Sequence, residues 1–323
     1  MSFSIKTTSG CRPVNAVGTL VGCVSLLCII LFGVAKPMKL FQARIALMAL
    51  LGFFVAVATS GCGAVNGLRA KSALNDGARA YKAGDFDEAE QHFRRALELN
   101  PEQQNASFFI ARSIHAQYKP GVVDPTNVAR AREAIAAYQK VLDNNPNNDE
   151  AYNAMVYLYR SLKDEQKERE FLEARATRQD SPPEKRSQAL TVLASKQWNC
   201  SFGITEQKDV KATATENGKS VVKYKKPANE QDFERAKKCV TEGLKLAEQA
   251  ISLDANSEQA WSYKTNLLLE AVKLAEMDGN AEARAEYQTQ AGAAQQRTAQ
   301  LNEINKQRRE EEEKAKAAEK AAS

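Results

Sequence analysis

His92 and His115 are the only histidines in this 323-residue chain. Neither has a second histidine or a cysteine at ligand spacing, so no metal site is legible in the sequence. Gly218-Lys219-Ser220 has the ending of a phosphate-binding loop, yet the residue five places before Gly218 is Thr213, where that loop requires glycine. No nucleophile elbow, dinucleotide fingerprint or zinc-protease motif is present. Asp and Glu occur throughout so charged a chain that no pair of them stands out as a glycosidase acid and base. The residues therefore predict no enzyme, no cofactor and no small-molecule substrate. What remains is thiol chemistry and binding.

The thiol that could be modified is Cys62, inside ATSGCGAVNG (58–67). Before it stand Met38, two positive charges at Lys39 and Arg44, and the fourteen apolar residues IALMALLGFFVAVA (45–58). A short basic head, an apolar middle and a small-residue exit predict a secretory signal over 38–61 rather than a spanning helix. Ser60, Gly61 and Cys62 resemble the bacterial lipoprotein signal, in which small residues admit the peptidase and the cysteine thiol receives a diacylglycerol. Thr59 departs from that pattern, which prefers Leu there. The alternative is a buried structural thiol. Residues 1–37 read as an upstream extension, with Met38 as the start. The rival is a membrane helix at 13–35, whose 23 uncharged residues suffice to cross a bilayer. Residues 62–69 read as a short tether.

Charge then takes on a different meaning. The whole chain carries 45 basic and 40 acidic residues. The five basic residues Lys6, Arg12, Lys36, Lys39 and Arg44 all precede Cys62 and no acidic residue does, so Cys62–Ser323 is balanced at 40 of each. Nothing in that balance calls for a nucleic-acid partner.

The elements that would position any binding residues come from a repeat. GDFDEAEQHFRRALELNP (84–101) aligns with ARAREAIAAYQKVLDNNP (129–146), placing Ala89 on Ala134, Phe93 on Tyr138, Ala96 on Val141 and Pro101 on Pro146. This order of small residue, aromatic and terminal proline resembles the tetratricopeptide repeat, whose period is about 34 residues. The extra length is YKPGVVDPTNV (118–128), read as a loop inserted between two helices. Residues 149–176 predict a third pair, with Tyr152, Met155, Val156 and Tyr159 on one side of its first helix. Ser181 as N-cap, Pro182 at the first helical position and Glu184 behind it predict a fourth start, with an apolar stripe at Leu190, Leu193 and Ala194. Its partner helix is predicted at 232–255, and a last pair at 258–291 with Trp261, Ala283 and Tyr287. The fold class is all-α, a superhelical array of about five helix pairs over 70–298, with a charged helical or disordered tail at 299–323.

The stretch 201–231 interrupts the pattern. Asn217-Gly218 between segments of alternating valine and threonine predicts a β-hairpin. The run Lys223, Lys225 and Lys226 reads as a solvated strand face, with an anionic lipid or partner surface as the lesser reading. Cys200 and Cys239 flank the insertion. If the fourth pair folds as repeats of this kind do, the two thiols meet, and in an exported protein they would form a disulfide. The alternative is two separate buried thiols.

The resemblance also implies where binding occurs. Ligand peptides of that family lie against the inner faces of the first helices. Here those faces would present Lys71, Tyr81 and Lys82 from the first pair. The second would add Asn105, Phe108, Arg112 and His115, and the third Asn153, Tyr157 and Arg160. Cations, amides and aromatics together suit an extended peptide with an acidic group. The expected function is a lipid-anchored scaffold of the bacterial cell envelope, facing the periplasm and more at home on the outer than the inner membrane, with protein or peptide partners. A non-catalytic accessory subunit of a cell-wall enzyme, or an inner-membrane protein held by helix 13–35, is the alternative.

Overall fold

The computed structural model describes residues 65–216 and 218–322. The signal region, Cys62 and the stretch 13–35 lie outside them. Helix α1 covers 65–83, followed by α2 (Phe86–Leu99), α3 (Gln104–Gln117), α4 (Pro125–Asn144), α5 (Asp149–Ser161), α6 (Glu165–Thr177) and α7 (Pro183–Thr205). Strands β1 (Lys211–Glu216) and β2 (Lys219–Tyr224) precede α8 (Glu230–Leu253), α9 (Glu258–Met277) and α10 (Ala281–Ala322). Consecutive helices pack on one another along the array. Over the described residues the fold is thus an all-α array of five pairs carrying one antiparallel hairpin.

Each pair is amphipathic and closes its core only against its neighbour. Ala89 and Ala134 are fully buried, as are the rings of Phe93 and Tyr138. Small residues are needed where helix axes come close. A Cβ on Gly77 of α1 would stand 2.7 Å from Cε1 of Phe93. Setting Leu253 against Leu99 and Ala250 against Ala96 aligns Gly243 with Ala89. A Cβ on Gly243 would stand 2.5 Å from Cδ2 of Leu267 and 3.0 Å from Cβ of Gln197. The fourth pair therefore keeps the small residue of the repeat, reduced to glycine, while Ala247 takes the aromatic position.

Several boundaries differ from expectation for reasons of capping. The loop read as 118–128 ends at Asp124, whose Oδ1 accepts from the backbone N–H of Thr126 (2.9 Å) and Asn127 (3.3 Å), with Pro125 inside the first turn. That second proline starts a helix rather than extending a loop. At α7 the cap is Pro182 and Pro183 opens the helix, so Ser181 is not the N-cap; it is buried, its hydroxyl 3.4 Å from Asn147 Oδ1. The insertion read as 201–231 narrows to 206–229, because α7 runs on to Thr205 and α8 starts at Glu230. Residues 65–69 of the expected tether are helical, and α10 continues through the charged tail to Ala322.

The hairpin is held at its base. Glu216 pairs with Lys219 across the turn, where Gly218 has φ +76°. Val210 is fully buried, and its carbonyl accepts from the Lys225 N–H at 2.9 Å. The Tyr224 N–H donates to Glu276 Oε1 at 3.2 Å. The lysine run is not simply a solvated face: Lys226 Nζ lies 2.6 Å from Asp278 and 4.8 Å from the centre of the Phe233 ring.

Candidate functional site: an aromatic cup around Arg112

Asn105, Phe108, Arg112 and His115 are spaced by three, four and three residues, which puts them on one face of α3. Arg112 is exposed, and its guanidinium carbon lies 5.3 Å from the ring centre of Tyr81 and 5.8 Å from that of Phe108. These are cation–π distances, so two rings from α1 and α3 hold the guanidinium and leave its donors open. No carboxylate lies within ion-pair distance of it among the described residues.

One turn later, half-buried His115 places Nδ1 3.3 Å from the Tyr138 hydroxyl. Its ring lies 5.8 Å from that of Tyr138 and 5.6 Å from that of Tyr157 on α5. Burial, and after it the positive charge of Arg112, hold the His115 pKa below its ordinary 6.5. Burial likewise pushes the Tyr138 hydroxyl up, so it stays protonated. Tyr81, Arg112, His115, Tyr118, Pro120, Tyr138 and Tyr157 enclose an open cavity of about 470 Å³. On the other side of Arg112 a second cavity, about 440 Å³, is lined by Asn105, Ser107, Phe108, Asn144, Asn145, Asn148 and Glu150 among others. Asn145 Oδ1 accepts from the Asn147 N–H (3.2 Å) and Asn148 Oδ1 from the Ala151 N–H (2.9 Å), which turns their amide NH2 groups toward donation.

The structure brings together Tyr81, Asn105, Phe108, Arg112, His115 and Tyr157. Lys71, Lys82 and Asn153 are exposed and line neither cavity. Arg160 is committed elsewhere: its Nη2 lies 2.9 Å from Oε1 of Glu168, a carboxylate only 1% exposed, which Lys196 also meets at 2.6 Å. Tyr138 is a functional candidate that packing arguments conceal. The residue aligned with it is Phe93, so its hydroxyl is the signal of a polar end to a core ring. Tyr118 and Pro120, in the inserted loop, close one end of the cup.

Elsewhere Cys200 and Cys239 form a disulfide between α7 and α8, Cα atoms 6.2 Å apart. Neither sits at a helix end. A nearby buried network has Ser201 Oγ and Thr205 Oγ1 donating to Glu270 Oε2 at 2.9 and 2.7 Å, with Lys273 Nζ 2.6 Å from Oε1. Among the described residues no group of histidines, cysteines and carboxylates could hold a metal ion, and no helix is long and apolar enough to cross a membrane.

Residues 77–103 match the family described as tetratricopeptide repeat. No curated protein matches the chain. Among solved structures it is similar to a MamA double mutant from strain RS-1, at 12% identity over 73% of this chain and 96% of that one, with a TM-score of 0.38. YrrB, titled a TPR protein with an unusual peptide-binding site, aligns at 12% identity over 79% and 97%, TM-score 0.35. PilF of Pseudomonas aeruginosa aligns at 14% over 75% and 99%, TM-score 0.29. None of these superpositions is close enough to transfer a binding site. The likeness therefore rests on the matched segment itself: α2 and the end of α1, with Gly77, Ala89 and Phe93 at their contact, match one tetratricopeptide repeat near the head of the described helical array.

Proposed function

We propose that this protein is a scaffold that captures an extended acidic peptide segment of a partner protein on the face built by α1, α3 and α5. The observation that carries this reading is Arg112: a guanidinium held between two rings, beside donor amides and across a cavity from Glu150, yet in no ion pair among the described residues. An acceptor-rich ligand satisfies those donors, and the Tyr81, Tyr138 and Tyr157 rings give its neighbouring side chains an apolar seat. Placement in the envelope is supported by the basic head, apolar run and Ser60-Gly61-Cys62 exit alone. In this reading the diacylglycerol on Cys62 holds the scaffold on the periplasmic side of the outer membrane.

Two measurements test the two halves separately. Arg112→Glu should abolish partner capture from an envelope extract while helical content and melting stay near wild type, because an exposed charge contributes little to folding. Undiminished capture sinks the groove reading. Cys62→Ala should abolish acyl labelling and leave a larger precursor; unchanged mass and labelling sink the anchor.

A further inference from the structure

Of the side chains lining the Arg112 cup, His115 is the one whose charge changes near neutral pH. The titratable or charged groups that face it are Arg112 on its own helix, Tyr138 from α4 and Tyr157 from α5, with Tyr81 of α1 and Tyr118 across the cavity; Glu150 of α5 lines the adjoining cavity and its charge acts on the Tyr138 hydroxyl. No carboxylate lines this cavity. Within its own cavity the ring therefore meets one fixed cation and neutral phenols, and burial together with the Arg112 charge disfavours imidazolium while the cup is empty.

An oxyanion seated on Arg112 reverses that balance. It offsets the guanidinium field at the ring, one turn away, and it brings the acceptor that an imidazolium in this cup otherwise lacks. Neutral His115 has one N–H, and its Nδ1 contact with the Tyr138 hydroxyl is served by either tautomer. Protonated, both nitrogens donate, so the Tyr138 hydroxyl turns to accept from Nδ1–H, and Nε2–H, which the neutral Nε2–H tautomer could offer only as an uncharged donor, meets the anion as a charged one. We propose, building on the acidic-peptide reading above, that the cup takes up one proton from solvent together with its anionic ligand, so that the ligand's oxygens close on Arg112 and a protonated His115. The only covalent change is the new N–H bond.

The sign follows from linkage. Occupancy raises the affinity of His115 for its proton, so lower pH strengthens binding, by about tenfold for each unit by which occupancy raises the pKa. Affinity is flat above the occupied-state value and flat again below the empty-state value. Since that latter value lies under 6.5, the steep region falls around and below neutrality.

The two histidines give a direct readout, because His92 on α2 serves as an internal control. In the full-length protein their imidazole signals are followed by NMR against pH, with sodium sulfate as the anion probe and sodium chloride at matched ionic strength as the reference. Sulfate should raise the His115 pKa well beyond the chloride value and leave His92 unmoved. Arg112→Gln should raise His115 without sulfate and abolish the sulfate response. Equal His115 titrations in sulfate and chloride overturn proton uptake. Partner capture that needs Arg112 but keeps one affinity from pH 5 to 8 (on the order of the range His spans) also overturns it, and spares the groove reading; capture indifferent to Arg112 removes both.

Discussion

The first three helix pairs and the last two solve the same packing problem with different materials. From α1 to α6 the contacts are alanines and rings: Ala89 under Phe93, Ala134 under Tyr138, Tyr152 stacked on Phe171 at 4.8 Å. Open cavities remain at the surface of this region, and Arg112 lines two of them. In the fourth pair the aromatic position is an alanine and the small position is Gly243, where a Cβ would stand 2.5 Å from Leu267, while the fifth pair returns to Ala283 and Tyr287. A disulfide, the buried Glu270 network and a long α10 reinforce that region instead. The contrast teaches that stacked rings order the first pairs and leave Arg112 unpaired among the described residues, whereas a disulfide and a buried carboxylate network supply what the fourth pair lacks in rings at the repeat position.

The bracing is tested most severely at the disulfide. Replacing Cys200 and Cys239 by serine opens a 39-residue separation and should cost about 3–4 kcal/mol in the chain-entropy account, read as a lower denaturation midpoint. Alkylation before reduction supplies the check, since two freely modified thiols would rule the bond out.

Next in size is Arg160→Glu, which turns a partner of buried Glu168 into a second carboxylate. A loss of about 1–3 kcal/mol is expected, moderated by Lys196, which still reaches Glu168. Arg112 and Arg160 look alike as exposed arginines on the faces read as the groove, and the same substitution at Arg112 should change stability by no more than about 0.5 kcal/mol. Equal losses at both sites in urea unfolding would erase the distinction between a free and a committed arginine.

Gly77→Ala and Gly243→Ala compare the two regions directly. Each adds a methyl where none fits, costing about 1–3 kcal/mol, against about 1 kcal/mol gained in helix propensity. The Gly243 variant should suffer more. Its Cβ meets Cγ-branched Leu267 on one side and the Cβ of Gln197 on the other, while at Gly77 only the Phe93 ring must shift. The smallest expected effect is Ala315→Gly in the exposed end of α10: a loss of local helicity by circular dichroism with an unchanged melting midpoint, since 306–321 are all exposed.

Periodicity and small-residue spacing made the all-α array, its five pairs and the hairpin legible, because those patterns are local and each helix must bury one stripe. Capping was legible in kind but misplaced at Ser181 and at Pro125, where two prolines in succession or a proline after a loop leave several registers with similar local merit. The last pair's tail was read as helical or disordered, and the helix option holds through Ala322. For the groove, sequence spacing placed Asn105, Phe108, Arg112 and His115 on one face of α3, since a helix fixes that geometry by itself. It said nothing of which cation would be free. That depends on contacts between residues distant in the chain: Glu168 rises from α6 to claim Arg160, while among the described residues no carboxylate pairs with Arg112, and Tyr138 turns its hydroxyl from the core to His115. Local sequence determines the faces, and only the packing of one pair on the next decides which charges on them are already spent.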